Sequence, residues 1–227
     1  MNRYIVLLLL IGFNIFSCEK DPLNYEISLI RRDGIYYSKD TNLPYNGPVF
    51  SVYESGEIKT KGRFKDGKAH GLSINWYKNE KKQSELNFKN GLNNGLQTFW
   101  YENGEKKEEG NYIDGARDGL WTTWYQNGQK YREGIFKADK QNGLWTTWYK
   151  NGQKEEEGNF INGIINGLII GWYENGQYKY KSNYKNGKQD GIRIVWYENG
   201  QKYIERNIKN GELIFEKLWE KDGAPKL

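Results

Sequence analysis

The chain has very few of the residues that build cross-linked or reactive sites. Its 227 residues include one cysteine, Cys18, and one histidine, His70. An internal disulfide and a zinc site made of cysteine and histidine ligands are therefore both excluded. A metal site would need oxygen ligands alone, and neither a metal ion nor a cofactor is predicted. No P-loop, nucleophile elbow or dinucleotide-binding motif occurs, because every glycine in a near match belongs to a periodic turn pattern.

The chain also lacks long runs of one charge and long apolar segments. Its net charge is +5, but Lys and Glu alternate at short range, so no uninterrupted basic stripe forms and nucleic acid is not a predicted partner. Only four prolines occur, whereas aromatic residues make up 16% of the chain, a composition that argues against disorder. The uncharged segment at residues 4–17 is shorter than the ~20 residues that span a bilayer as a helix.

This uncharged N-terminal segment is typical of a secretory signal, because Arg3 precedes it and Ile, Val, Leu and Phe dominate it. It ends at Ile15-Phe16-Ser17-Cys18, which resembles a bacterial lipobox. Cys18 is therefore predicted to be lipidated and to anchor the mature chain to a membrane of the bacterial cell envelope, periplasmic or surface-facing. An uncleaved N-terminal anchor and a buried apolar strand are the alternatives.

What the chain has in abundance is a repeat with a period of 24 residues. Residues 119–125 read Gly-Leu-Trp-Thr-Thr-Trp-Tyr, and the same seven residues recur at 143–149. At intervals of 24 residues on both sides of this segment, a glycine and a tryptophan occur in almost every unit. The glycines are Gly47, Gly71, Gly95, Gly119, Gly143, Gly167 and Gly191, and the tryptophans are Trp76, Trp100, Trp124, Trp148, Trp172 and Trp196. A fixed period of this length indicates a tandem array.

Each unit contains two short apolar runs, which predict two strands. Residues 120–125 alternate with a period of two, and the run ends at Asn127-Gly128, a pair typical of two-residue hairpin turns in which both residues have positive φ. Asn79-Glu80 departs from this pattern and should cost its hairpin some stability. The predicted fold class is all-β, with tandem 24-residue β-hairpin repeats forming one elongated, curled antiparallel meander sheet of about fourteen strands.

The predicted organisation has five parts, with atypical units expected at the ends of the array. They are a signal peptide (1–17), a lipidated N-terminal tether (18–29), a cap hairpin around an Asp33-Gly34 turn (30–46), the repeat array (47–223) and a C-terminal tail (224–227).

Aligning the units as columns separates two predicted faces. The aliphatic column that contains Leu120 and the indole column that contains Trp124 share one face, which is predicted to be buried. On the opposite face, the column that contains Trp121 and Trp145 varies, while its neighbouring tyrosine column does not. The aliphatic column is Leu72, Leu96, Leu120, Leu144, Leu168 and Ile192, and the variable column is Ser73, Gln97, Trp121, Trp145, Ile169 and Arg193.

The order of glycine, aromatic pair, Asn-Gly turn and Phe-Lys-Asn-Gly in residues 71–95 resembles the bacterial variant of the MORN repeat found in YwqK-type proteins, which are labelled antitoxin components. The segments at residues 32–37 and 44–47 are similar to the start of those proteins. The resemblance covers about residues 30–223. It implies a β-hairpin repeat fold and supplies no catalytic residues. An antitoxin that binds its toxin directly is the function that the family label implies.

The candidate binding residues are Trp121 and Trp145, with Tyr125 and Tyr149 on the same face. Exposed aromatic clusters often mark binding sites, so these four residues are a candidate binding patch. A structural aromatic ladder is the competing interpretation. His70 occupies a predicted turn position before a unit glycine. The Glu residues at 155–157 should point to alternate faces of a strand and should not converge on a cation.

Three functions fit these observations. The first is a noncatalytic, lipid-anchored repeat protein that presents a β surface to a protein or cell-envelope partner. The second is an antitoxin or immunity protein that neutralises a toxin by direct binding, and the third is direct binding to a membrane surface. An enzyme is not predicted, because the repeated columns leave no unique polar cluster. The oligomeric state is not predicted.

Overall fold

The computed structural model describes residues 20–226, and nearly all of its regular elements are strands. The predicted signal peptide and Cys18 lie outside the described residues. Among the described residues, the single short helix is α1 (Tyr25–Ser28). The strands are β1 (Leu23–Asn24), β2 (Leu29–Arg32), β3 (Ile35–Ser38), β4 (Gly47–Val52), β5 (Ile58–Lys65), β6 (Lys68–Ala69), β7 (Gly71–Trp76), β8 (Lys82–Lys89), β9 (Leu92–Trp100), β10 (Lys106–Ile113), β11 (Ala116–Trp124), β12 (Lys130–Lys137), β13 (Lys140–Trp148), β14 (Lys154–Ile161), β15 (Ile164–Trp172), β16 (Tyr178–Lys185), β17 (Lys188–Trp196), β18 (Lys202–Lys209) and β19 (Glu212–Leu218).

The strands from β4 onward form one open antiparallel meander, in which each strand pairs with the next along the chain. β6 and β7 are two pieces of one strand that both pair with β5, and β1 adds to β4 in parallel at the N-terminal edge. The sheet has 17 strands, and β2 and β3 form a separate hairpin. The predicted all-β meander is confirmed. The predicted strand number was too low because β1, β19 and the interruption between β6 and β7 were not expected.

Within each repeat, we call the strand that ends at the tryptophan the outgoing strand, and the strand that follows it the return strand. In the middle of the array, β11 is an outgoing strand and β12 is its return strand. Both strands of each repeat contain a register shift, for example between Gly110 and Tyr112 and between Thr123 and Trp124. These β-bulges recur from repeat to repeat and displace one residue from regular pairing.

Two kinds of turn alternate along the meander, and the sequence-based prediction placed the tight turn at the wrong one. After most return strands, an Asn-Gly or Asp-Gly pair has two positive φ values, as in Asn90 (53°) and Gly91 (85°), so this turn is the two-residue hairpin loop. After the outgoing strand β11, only Gly128 of the loop has a positive φ, at 82°. Asn127 instead accepts a hydrogen bond from the Gln129 N–H through its side-chain oxygen (3.1 Å), which is typical of a three-residue loop that ends in a glycine bulge.

Neighbouring repeats are joined by a tyrosine hydrogen bond that recurs along the array. In the middle copy, the Tyr125 hydroxyl donates to the backbone carbonyl of Trp148, one repeat later, at 2.8 Å. Asn127 adds a parallel bond from its side-chain amide to the Lys150 carbonyl at 3.1 Å. We call the tyrosine contact the tyrosine latch. Its donors are Tyr53, Tyr77, Tyr101, Tyr125, Tyr149, Tyr173 and Tyr197.

The N-terminal edge of the array is covered by the cap. Leu29, Tyr45, Val49 and Phe64 form a buried cluster, and the ring of Tyr36 stacks on Phe64 with centroids 4.6 Å apart. β2 and β3 pair around a turn at Asp33 and Gly34 with φ values of 47° and 80°. The terminal unit therefore packs against the cap where a further repeat would otherwise lie.

Candidate functional site

The sheet has two chemically different faces, because successive side chains of a strand point in opposite directions. We call the face that carries Leu120, Thr122 and Trp124 the leucine face. We call the other face, which carries Trp121 and its cross-strand partner Gly134, the core face. The aliphatic and indole columns share the leucine face, as the alternation predicts.

The prediction of which face is buried was wrong. Trp121 and Trp145 are 3% and 5% exposed, whereas Leu120 and Leu144 are 59% and 54% exposed. The variable column is therefore the core of the array, and the proposed exposed patch at Trp121, Trp145, Tyr125 and Tyr149 is not present as an exposed surface. The residue type in this column varies from repeat to repeat, and the large side chains lie opposite a small residue of the adjacent strand.

Glycine provides the space for each buried indole. A Cβ atom added to Gly110 would lie 2.2 Å from the Trp121 ring, and one added to Gly134 would lie 2.2 Å from the Trp145 ring. Tyr112 meets Trp121 edge-on, with ring centroids 5.3 Å apart. An indole in a single-layer sheet is thus buried by lying flat on a glycine of the adjacent strand, with aromatic rings at its sides.

The buried side chains of this row also satisfy the backbone at the bulges. The Trp121 indole N–H donates to the Asn111 carbonyl at 3.2 Å, and the Trp145 indole N–H donates to the Ile135 carbonyl at 3.1 Å. Gln97, which is fully buried, donates in the same way to Asn87 at 2.8 Å. Each acceptor lies at the register shift of a return strand, so a buried donor pairs with a carbonyl there.

Arginine side chains cover this aromatic row. The Arg132 guanidinium lies 4.7 Å from the Trp145 ring centroid, and that of Arg117 lies 3.9 Å from the Phe136 centroid. Arg117 also donates to Asp139 at 2.8 Å, and this hydrogen bond lowers the pKa of the Asp139 carboxyl. Burial raises the pKa of the Glu108 carboxyl, and the nearby positive charge of Arg117 partly offsets this rise. The core face is therefore closed by cations that stack on aromatic rings.

Tyr125 and Tyr149 belong to the latch that joins repeats. Their hydroxyls donate to the carbonyls of Trp148 and Trp172 at 2.8 and 2.7 Å. Burial raises the pKa of both phenols further above neutral pH, where a phenol is already a protonated donor. A tyrosine therefore recurs at this position in each repeat because its hydroxyl joins that repeat to the next.

The leucine face exposes a row of aliphatic side chains. The six residues of the aliphatic column are 45% to 59% exposed, and they lie in the same position on successive outgoing strands. We call them the leucine row. On the return strands between them, the paired residues on this face are asparagines in five cases and Ile135 beside Leu120. Exposed apolar side chains that recur in this way are typical of an interaction site. The leucine row comprises Leu72, Leu96, Leu120, Leu144, Leu168 and Ile192.

Beside the leucine row runs a polar network that connects one repeat to the next. In the middle copy, Glu133 accepts hydrogen bonds from Thr122 (3.0 Å) and from Lys130 (2.6 Å). The Lys130 ammonium lies 5.7 Å from the ring centroid of Trp148 in the following repeat. We call this arrangement the Lys–Glu–Trp ladder. Since a lysine lies over the ring, the indoles of the ladder are partly covered by the protein itself.

The other candidate residues have structural surroundings. His70 lies between β6 and β7, directly before a positive-φ glycine, and its N–H donates to the Arg63 carbonyl at 2.9 Å. This position is an interruption of a strand and not the predicted turn. Glu156 accepts a hydrogen bond from Tyr180, whereas Glu157 pairs with Lys154, so the acidic run divides between partners. Within residues 20–226, no group of three His, Cys, Asp or Glu residues could hold a metal ion.

The described part of the chain contains no helix with the length and apolar character needed to cross a membrane.

An open sheet of similar hairpins, each latched to the next, defines a tandem β-hairpin repeat protein. The family model of the MORN repeat variant matches six consecutive segments, which together make up more than half of the chain. The matched segments are residues 69–90, 93–114, 117–138, 141–162, 165–186 and 189–210. The chain therefore belongs to the MORN repeat variant family. No curated protein matches the chain.

Two functional features were missed by the reasoning from sequence. The first is the glycine in the middle of the return strand, at Gly110, Gly134 and Gly158, which lies opposite the buried residue of the next outgoing strand. An isolated glycine inside a strand signals close approach of another group and could have revealed the pairing. The second is the exposure of the leucine row, for which the sequence contains no comparable signal.

Proposed function

We propose that this chain is a noncatalytic repeat protein that binds a protein or cell-envelope partner through the leucine face of its sheet. The observation that carries the proposal is the leucine row, whose six aliphatic side chains are each about half exposed on a single-layer sheet. Apolar surface that is regularly placed and left in contact with water favours association, because its burial releases about 25 cal/mol per Å².

Membership of a repeat family supports a binding role, since repeat arrays present extended surfaces whose contacts can be distributed over several units. The ladder on the same face supports this too. Its charges are paired within the chain at 2.5 to 2.7 Å, so a partner that covers the leucine row need not neutralise them.

The test is photo-crosslinking in the native cells. A photoreactive amino acid is placed at Leu120 or Leu144 of the full chain, and Gln129, an exposed turn residue, is the matched control position. We expect one crosslinked partner from both leucine positions and none from the turn. Crosslinking that is equal at all three positions, or no partner from any position of the leucine row, would contradict the proposal. A toxin as the captured partner would make the protein an antitoxin.

The proposal also places the protein at a bacterial envelope membrane through a lipid on Cys18, which is supported by the uncharged segment at 4–17 and the lipobox-like residues before the cysteine. We expect metabolic incorporation of a labelled fatty acid into the wild-type chain and its loss in Cys18→Ala. Labelling that survives this substitution would show that the anchor is elsewhere or absent.

A further inference from the structure

One return strand differs from the ladder in a way that changes the surface. In the described residues, five return strands carry a Lys and a Glu three positions apart that form an ion pair. In β16 these two positions are Tyr178 and Lys181. The Lys181 ammonium lies 3.5 Å from the Tyr178 ring centroid, and no carboxylate of residues 20–226 lies within ion-pair distance of it.

The residues around Lys181 differ from those in the central repeats as well. Its cross-strand neighbours are Ile170 and Ile194, where the central repeats have threonines that donate to a glutamate. Tyr178 is 44% exposed and lies against the indoles of its own repeat (Trp172) and of the following repeat (Trp196), with ring centroids 6.1 Å and 5.7 Å away. We call this surface the β16 patch. It comprises Leu168, Ile170, Tyr178, Lys181, Ile192 and Ile194.

The charge of the chain is concentrated in the same region. Residues 178–211 contain eight Lys and Arg residues and three Asp and Glu residues, a net charge of +5 that equals the net charge of the whole chain. The remaining residues are therefore balanced, and one of them, Glu216 on the adjacent strand β19, lies 3.9 Å from Arg206 of this segment. An acidic partner would be attracted to this end of the array in preference to the others.

The first return strand, β5, also lacks the Lys–Glu pair, but it does not form the same surface. Its Lys61 ammonium lies 6.0 Å from the Trp76 ring centroid and so covers the indole of the following repeat, as the ladder lysines do. Next to it, Lys59 pairs with Glu26 of α1 at 3.2 Å. In β16 the aromatic residue occupies the space between the indoles, and Lys181 is left among aliphatic side chains.

We propose that the β16 patch binds an acidic segment of a partner protein, in which a carboxylate flanked by apolar side chains pairs with Lys181. An ammonium surrounded by apolar groups gains most from a partner that supplies both an opposite charge and apolar area. An anionic membrane surface fits less well, because it is recognised by clusters of several cations, and the neighbouring Lys154 and Lys202 are already paired with glutamates. The inference rests on the proposed function and specifies its partner.

The test restores the ladder at this one strand. The variant Tyr178→Lys with Lys181→Glu gives β16 the residues of the five return strands that carry the ion pair, and it lowers the net charge by one. Lys209→Gln, at an exposed position of the same basic segment, has the same change of charge and is the matched control. The probe is a displayed library of random short peptides selected on the full wild-type chain, followed by measured affinities of the enriched peptides for all three proteins.

We expect enriched peptides that combine Asp or Glu with Leu, Ile, Phe or Trp. Their affinity should fall about tenfold or more in the restored-ladder variant and stay within about twofold in Lys209→Gln. The restored-ladder variant should unfold at a temperature at least as high as that of the wild type, because it regains an ion pair.

Equal affinity for the restored-ladder variant, enriched peptides without acidic residues, or no enrichment would each overturn the inference. So would binding of phosphatidylserine vesicles by the delipidated wild-type chain that the restored ladder abolishes, because it would assign the patch to lipid. Crosslinking from Leu120 and Leu144 is read independently. A partner captured there, together with any of these outcomes, would leave the proposed function standing while this inference fails.

Discussion

The central repeats and the repeat around β16 share one backbone but fill it differently on both faces. In the centre, Trp121 and Trp145 lie flat on glycines, while the opposite face carries paired lysines and glutamates. At β16, Ser182 lies between Ile169 and Arg193 in the core row, and the opposite face carries Tyr178 and Lys181. The backbone hydrogen bonds and the latches therefore maintain the architecture, while side chains can change if their volumes remain matched across the row.

The difference also separates structure from function along the array. The core row tolerates Gln, Trp or Ile because a small residue on a neighbouring strand accommodates each of them. The leucine face keeps its aliphatic row in the six repeats from Gly71 onward even though the row is half exposed. Burial explains the first pattern, whereas the proposed association accounts for the second.

The largest expected effect comes from removing a central indole. Trp145→Ala should lower the free energy of unfolding by about 3–5 kcal/mol, because it removes a buried aromatic side chain and leaves a cavity above Gly134. Urea unfolding monitored by circular dichroism measures the change. Leu144→Ala, on the exposed row one residue away, is the control and should cost less than about 1 kcal/mol. A reversed order of the two variants would mean that the core is on the leucine face.

The next effect comes from adding one carbon to the glycines below the core row. Gly134→Ala should cost about 1–3 kcal/mol, because the new Cβ would lie 2.2 Å from the Trp145 ring. Gly158→Ala should cost less, since its Cβ would lie 3.2 Å from the Ile169 side chain. Combining Gly134→Ala with Trp145→Ile should cost less than the sum of the single changes. Thermal unfolding of the single and double variants measures these losses. If the loss in the double variant equals the sum of the single losses, volume matching does not determine which residues occupy the core row.

A smaller effect is expected from the latch. Tyr125→Phe removes the hydroxyl that donates to Trp148 and should cost about 0.5–1.5 kcal/mol. Tyr131→Phe, at a ring that is 43% exposed, is the control. Tyr197→Phe should cost less than Tyr125→Phe, because its bond at the end of the array is longer, at 3.1 Å. Denaturant midpoints of the three variants test this order. Equal midpoints would show that the latch does not contribute to stability.

The smallest effect is a gain in stability at two irregular turns. Glu80 and Ala138 have positive φ values of 61° and 47°, where most repeats have Gly and Asn. Glu80→Gly and Ala138→Asn should each stabilise the chain by roughly 0.5–1 kcal/mol, because the backbone strain is relieved. Gly128→Ala is the opposite change and should destabilise by a similar amount. Calorimetric melting of the three variants shows whether each substitution raises or lowers stability. A loss of stability in Glu80→Gly would contradict the turn assignment.

Much of the fold could be predicted because its signals are local. The alternation of residues 120–125 and the spacing of glycines predict hairpins, and the hairpins are present. The choice of turn could not be predicted in the same way. Asn-Gly pairs occur at both kinds of loop, and at Asn127 the side-chain oxygen accepts from the Gln129 N–H, which changes the turn type. The candidate patch failed for a different reason, because alternation separates two faces without showing which of them is buried.

The sequence alone determined the period, the strands, the meander and the grouping of Leu120 with Trp124 on one face, because each of these follows from spacing along the chain. Only the tertiary structure decided that Trp121 is buried while Leu120 is exposed. The physical reason is that burial in a single-layer sheet depends on the adjacent strand. A glycine there allows an indole to lie flat and donate to a bulge carbonyl, and that juxtaposition exists only once the strands have paired.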